Sequence, residues 1–322
     1  MILNKLTHQY PQANICNTIP ASTEQLIDQL SEHGHILIRM DMPLNEDKII
    51  ELIGGRENLM SYNEYGTQER EKISGSQFIN VTNWRKDLEL PPHTELTHHT
   101  DFPQYVCFIC KQPAQYAGET TIYDCEKAFA NLTPSFQQEA MEKNVIFVKK
   151  YVKKQNHKKY DFSWEKVLGK NSTAEEAVSH WTKLGYTCSM YQESENGSTI
   201  DIVEIQIKRP IAYHYKGKVC LHSSIIGVAP YWYKETWGDK EPQIIVKWED
   251  GNLLSDEQFR NMEKVFRSAR IFYNNYQKND VLILDNLRIA HGRLPFKGER
   301  VVGILMGGKA SFEFQENKWI VK

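Results

Sequence analysis

"HTELTHHTDFPQYVCFICKQPAQYAGETTIYD", residues 93–124, holds two overlapping versions of one chemical unit. His93-Thr94-Glu95 is a His-x-carboxylate pair, and His99-Thr100-Asp101 is another. On a strand such a pair points to one face, because side chains alternate with period two, and an imidazole and a carboxylate can then reach one metal ion. Behind the pairs, "YVCFICKQP" reads as a buried strand, "QPAQYAG" as a turn and "ETTIYD" as a returning strand. Neither pair decides the matter alone. With 11 histidines and 41 acidic residues in 322, roughly one such pair arises by chance. Cys107 and Cys110 form a C-x-x-C spacing within the strand. Residues three apart on a strand face opposite sides, so these read as core cysteines and not as a zinc or redox motif.

Outward from this stretch the chain is rich in strands. "QFINVTNW", "NVIFVKKYV", "DIVEIQIK", "GKVCLHSSI", "DVLILDN" and "RVVGILMGG" all carry strand signals. Helices are expected at "STEQLIDQLSEHG", with Ser22 and Thr23 as caps and Gly34 as the stop, and at "NEDKIIELIGG". Three more are expected at "TPSFQQEAMEKN", "STAEEAVSHWTKLG" and "SDEQFRNMEKVFRSARIFYNNYQ". Strands broken by such varied segments, without a βαβ rhythm, predict an antiparallel sandwich or barrel with helical insertions. No linker-like tract divides residues 1–322, so one domain is expected, with a helical or irregular insertion at about 150–270.

Composition is that of an ordinary soluble globular chain, 40% hydrophobic and 25% charged. A formal net charge of −2 gives no general attraction to polyanions, and no nucleic-acid partner is expected. The lysines at 149, 150, 153, 154, 158 and 159 read as a solvated basic face, or as a docking surface for an acidic carrier protein. No phosphate-cradling glycine motif follows a strand. The start, "MILNKLTHQYPQ", has no secretory pattern, no run approaches a membrane span, and six cysteines are modest usage. A reduced, cytoplasmic setting is the expectation.

A non-haem Fe(II) site needs two imidazoles and one carboxylate on one face of the metal. A second imidazole stands in "DNLRIAHGRLPFKGER", residues 285–300, where an apolar strand leads to His291 and a basic loop leads to Arg300. A histidine at the end of one core strand, with an arginine at the start of its hairpin partner, suits a metal plus a dicarboxylate, whose far end the guanidinium fork can grip.

The two stretches 93–124 and 285–300 resemble the signature regions of the taurine-dioxygenase superfamily of Fe(II)/2-oxoglutarate oxygenases. The likeness is closest to the clavaminate-synthase-like branch, which includes the syringomycin-pathway aspartyl hydroxylase. "GHILIRM" and "LMSYNEYG" are weaker matches. The resemblance implies a double-stranded β-helix (jelly-roll) core, and a metal triad of His93, Glu95 and His291 rather than one using His99 and Asp101. It implies Fe(II), 2-oxoglutarate and O2 as cofactor and cosubstrates. Arg300 would bind the distal carboxylate of 2-oxoglutarate, and Thr120 would add a hydroxyl to it. Gly118 is expected as a turn glycine, with Ala117 where the family has a second glycine.

By the same resemblance, 2-oxoglutarate is decarboxylated to succinate and CO2, and an unactivated C–H bond of an amino acid or amino-acid-derived metabolite, free or carrier-bound, is hydroxylated in a biosynthetic pathway. A carboxylate at residue 95 argues against halogenation. Asp285 and Asn286 are expected to shape the turn before His291. His98, His99, Arg288 and Arg293 are candidate substrate contacts. Desaturation, cyclisation or a sulfonate-type dioxygenase are alternatives within the superfamily. A non-catalytic metal- or ligand-binding jelly roll is the alternative outside it.

Overall fold

The computed structural model describes residues 13–42, 45–61, 70–81, 84–153, 160, 162–195, 197–238, 242, 244–271 and 276–322. Tyr62 and Tyr65, most of "LMSYNEYG", and Lys154, Lys158 and Lys159 lie outside them. The elements that matter are, in chain order, α1 (Thr23–His33), β1 (His35–Ile38), α2 (Glu46–Leu52), β2 (Leu90–His93), β3 (Asp101–Gln112), β4 (Thr120–Asp124), β5 (Asn144–Val152), β6 (Thr187–Glu195), β7 (Ser198–Pro210), β8 (Ile244–Trp248), β9 (Val281–Asp285), β10 (Ile289–Arg293) and β11 (Val301–Gln315).

The core is a double-stranded β-helix. Its larger sheet runs β1–β9–β3–β11 and continues through Lys318–Val321 to Ala212–Tyr215 and Lys218–Leu221. Its smaller sheet runs from Arg270–Ile271 through β4 and β10 to β2. Period-two alternation explains why β3 can be buried on both faces. Val106, Phe108 and Cys110 point into the main core, while Tyr105, Cys107 and Ile109 point the other way, into a second cluster with Leu26 and Leu30 of α1 and Ile49 and Leu52 of α2. Cys107 and Cys110 therefore sit in different clusters, as their spacing requires.

Helix α1 begins and ends where its sequence says. The Ser22 side chain accepts from the Gln25 N–H, and Gly34 closes the helix at φ 74° with its N–H bonded to the Leu30 carbonyl.

Two expectations are corrected. The stretch near 150–270 is not an insertion of helices and irregular chain alone. With β5 it builds an antiparallel sheet, ordered β8–β5–β7–β6, whose inner side chains Val145, Phe147 and Tyr151 join the main core. Of its strands, β5 and β7 carry the signals read in "NVIFVKKYV" and "DIVEIQIK", and β6 and β8 add to that reading. The second correction concerns Arg300. The strand it precedes, β11, is not the hairpin partner of the His291 strand: β10 pairs with β4 and β2, whereas β11 pairs with β3 in the opposite sheet. Between them the chain crosses from one sheet to the other, and Phe296–Lys297 pairs with Tyr116–Ala117 on the way. Arg300 thus faces His291 across the barrel mouth, not along a ribbon.

A candidate metal and cosubstrate site

The strand pair β2–β10 aligns His93 directly opposite His291. Their ring centroids are 4.3 Å apart. Glu95 follows two residues after His93, and its Oε2 lies 3.5 Å from His291 Nε2 and 4.0 Å from His93 Nε2. The candidate donor atoms of all three lie within 4.8 Å of one another, and this is the single such convergence of His, Cys, Asp or Glu among the described residues.

Each side chain is held for a physical reason. His93 Nδ1 lies 2.9 Å from the Pro91 carbonyl. That contact places the ring proton on Nδ1 and leaves the Nε2 lone pair for the site. Burial, reinforced by the neighbouring His291, pushes the His93 imidazole down to about 4. Burial works to raise the Glu95 carboxyl, but Arg70, His291 and His93 overcome it and hold the group well below the usual carboxylate range. Arg70 Nη2 is 3.3 Å from Glu95 Oε1, the oxygen turned away from the histidines. Two imidazoles and an ionised carboxylate on one point form the donor set that a divalent transition metal takes. Iron fits these residues.

The loop carrying Glu95 is clamped from two sides. Asn286, fully buried, accepts from the Glu95 N–H at 2.8 Å and donates to the Glu95 carbonyl at 3.0 Å and the Pro103 carbonyl at 2.9 Å. On the other side, Ser224 donates to the Thr94 carbonyl at 2.8 Å, and its hydroxyl meets Thr97 Oγ1 at 2.7 Å. His222 Nε2 meets Thr97 Oγ1 at 2.9 Å. Asn286 was expected only to shape a turn, whereas Arg70, Ser224 and His222 carried no sequence signal. They reach the loop from far along the chain, where no local pattern records the contact.

Arg300 and Thr120 come together beside the triad. Arg300 Nε donates to the Gly118 carbonyl at 2.7 Å, and its Nη2 donates to Thr120 Oγ1 at 3.3 Å. Both open on a cavity of about 410 Å³ that His93, Glu95 and His291 also line. The turn before Thr120 keeps a left-handed backbone at both Ala117 (φ 54°) and Gly118 (φ 84°). At Gly118 a Cβ would stand 2.8 Å from Phe296 Cβ. Ala117 therefore carries the strain that a glycine would avoid. Ala117→Gly is expected to raise stability by roughly 0.5–1 kcal/mol in urea unfolding; a loss would mean the alanine methyl packs well enough to outweigh the strain.

The remaining candidates divide. His98 and His99 line a second cavity of about 780 Å³ that shares His93, Glu95 and Arg70 with the first. Asp101 lies away from the triad, ion-paired to Lys309 at 2.9 Å. Arg293 lines the first cavity but spends its guanidinium on the carbonyls of Arg85 and Leu294, at 2.7 and 2.9 Å. Arg288 is corrected outright as a substrate contact. It is buried and donates to the Leu30 and Ser31 carbonyls at the end of α1, at 3.1 and 2.7 Å. The last carbonyls of a helix carry its negative end, and a cation placed there is stabilised. The lysine tract also departs from a uniform solvated face. Lys149 is buried, Lys150 pairs with Glu193 at 3.5 Å, and Lys153 is exposed.

A jelly roll with two imidazoles and a carboxylate converging beside a basic cavity has the layout of one class, the 2-oxoglutarate-dependent oxygenases. The model of the taurine catabolism dioxygenase TauD, TfdA family matches residues 5–307, and the chain belongs to that family. It is a dioxygenase that uses Fe(II), 2-oxoglutarate and O2. The dapdiamide synthesis protein DdaC of Enterobacter agglomerans is 22% identical over 286 residues, covering 86% of this chain and 83% of that protein. A clavaminate synthase-like protein of Arabidopsis thaliana is 22% identical over 298 residues, covering 88% and 84%. Among solved structures, AAD-2 in complex with Mn(II) and N-oxalylglycine shares the fold with a TM-score of 0.52 at 10% identity, covering 93% of this chain and 96% of that one. Among the described residues, no helix is long and apolar enough to cross a membrane.

Proposed function

We propose that the enzyme hydroxylates an unactivated C–H bond of an amino acid or amino-acid-derived metabolite in a biosynthetic pathway, and that residues 1–322 act as one domain. His93, Glu95 and His291 hold Fe(II), and Arg300 with Thr120 holds the distal carboxylate of 2-oxoglutarate. The observation that carries this reading is the convergence of the three donors within 4.8 Å on the cavity that Arg300 and Thr120 also line. The likeness to a dapdiamide synthesis protein supports the biosynthetic setting.

When bound, iron and 2-oxoglutarate together with O2 supply an oxidant strong enough for such a C–H bond. The chain's own residues supply placement. Pro91 fixes which nitrogen of His93 carries the proton. Arg70 keeps Glu95 ionised and occupies the oxygen that faces away from the histidines. Arg300, itself fixed by Gly118 and Thr120, offers a charge-assisted grip whose direction is set before the cosubstrate arrives.

The test is succinate formation by Fe(II)-loaded enzyme in air with 2-oxoglutarate and a panel of amino acids, with mass analysis for a gain of one oxygen. A panel member that raises succinate above the substrate-free rate and gains oxygen supports the reading. Oxidation of sulfonates in preference to every amino acid would sink it. Arg300→Met is expected to raise the KM for 2-oxoglutarate by about 100-fold, the equivalent of about 2.7 kcal/mol for an uncompensated carboxylate. An unchanged KM would remove Arg300 from the cosubstrate site.

A further inference from the structure

Two basic side chains are buried against His99 with only neutral partners. Lys149 is 1% exposed and Arg209 is 5% exposed. Lys149 lies on the inner face of β5, and its Nζ is 2.8 Å from His99 Nε2. Arg209 donates to the carbonyls of Lys208, at 2.8 Å, and His99. Among the described residues no carboxylate bonds either of them. Asp101 acts on Arg209 from a distance but is itself paired with Lys309. Burial, together with the like charge of Arg209, pushes the Lys149 amine well down, so its charged form lacks a partner that would favour it. Buried charges are ordinarily paired, since an unmet one is costly in a medium of low dielectric.

Both reach the second cavity through His99, which lines it. His99, on its wall, is fully engaged: Lys149 holds Nε2 and the Tyr186 hydroxyl lies 2.8 Å from Nδ1. His98 stands beside it, with ring centroids 4.6 Å apart. Among the described residues nothing hydrogen-bonds to the His98 ring, which also lines the cavity. Leu90, Leu96, Val228 and Ile244 make much of the remaining wall apolar, beside Arg70, Thr94 and Ser224. Glu95 is the single carboxylate on the lining, and it belongs to the triad. The part of the lining made by His98 and His99 thus has two basic side chains behind it and no carboxylate bonded to them.

We propose that this part of the cavity is an anion subsite: the substrate carries a carboxylate that accepts from His98 and supplies the counter-charge to Lys149 and Arg209, while its carbon chain lies along the apolar wall toward Glu95. The proposal rests on reading the cavity as the substrate pocket of the oxygenase, and it sets the substrate class. The carboxylate lies opposite the reacting carbon, and Arg288 and Arg293 do not hold it.

The experiment uses the full chain loaded with Mn(II) and 2-oxoglutarate, so that the triad and Arg300 are occupied. Acetate and acetamide are titrated separately at constant ionic strength, with the thermal midpoint as readout. Acetate is expected to raise the midpoint saturably and acetamide to leave it unchanged. Lys149→Met and His98→Phe are each expected to weaken acetate binding at least tenfold. If Lys149→Met fails to fold, His98→Phe decides, since its side chain faces a cavity. The subsite is overturned if acetate and acetamide act alike on the wild type, or if a folded variant binds acetate as the wild type does. The 2-oxoglutarate titration is read first. Failure to bind it counts against the oxygenase reading, and acetate titrated into metal-free wild type and variants then still judges the subsite.

Discussion

His93→Ala and His291→Ala should each abolish the weak visible charge-transfer band that Fe(II) and 2-oxoglutarate give under nitrogen, and lower turnover by about a thousandfold or more. A thousandfold corresponds to about 4 kcal/mol of lost transition-state stabilisation, within what a bound metal supplies. His99→Ala should keep the band. The contrast follows from where the atoms are. His93 and His291 lie opposite one another on paired strands, with Glu95 3.5 Å from the second. The His99 ring is turned to Lys149 and Tyr186, and Asp101 is taken up by Lys309. If His99→Ala loses the band and His93→Ala keeps it, the choice between the two overlapping pairs is reversed, and His93 and Glu95 do not hold the iron.

That choice could not be made from residue spacing alone, because both pairs satisfy the same alternation. What separates them is tertiary. His93 ends a strand that pairs with the His291 strand, whereas His99 sits past a loop whose Leu96 takes a left-handed backbone at φ 60°. The long apolar strands, by contrast, were plain in the chain, because burial on both faces leaves a continuous apolar run that needs no partner to be recognised. The stretch "NVIFVKKYV" shows a signal present but misread. Lys149 falls in phase with Val145, Phe147 and Tyr151, all of which face the core. Two adjacent lysines on a strand must face opposite sides, so one of them had to point inward. Arg288 shows the opposite case. Its neighbours suggest a site, but its partner is the end of a helix more than 250 residues earlier in the chain, a contact that no local pattern encodes.

Asn286→Leu should cost about 3–5 kcal/mol in urea unfolding and should also weaken Fe(II) binding, although Asn286 contributes no atom to the triad. Leucine matches the side chain in size but leaves the Glu95 N–H and the Glu95 and Pro103 carbonyls without the bonds Asn286 makes at 2.8, 3.0 and 2.9 Å. All of them are buried, and a stranded buried group costs roughly 1–3 kcal/mol. The amide matters because it serves as acceptor and donor at once. Asn286→Asp retains an acceptor for the Glu95 N–H, loses both donors and sets a carboxylate against two carbonyl oxygens, so it should be no better tolerated. The effect on metal is expected because Glu95 is the one member of the triad that no regular strand fixes. Its backbone is positioned by Asn286 on one side and by the Thr94, Thr97 and Ser224 hydroxyls on the other. With one clamp removed, the carboxylate is free to follow Arg70 away from the histidines. A loss below about 1 kcal/mol with unchanged iron affinity would show that the hydroxyl network holds the loop unaided, and that Asn286 only shapes the turn.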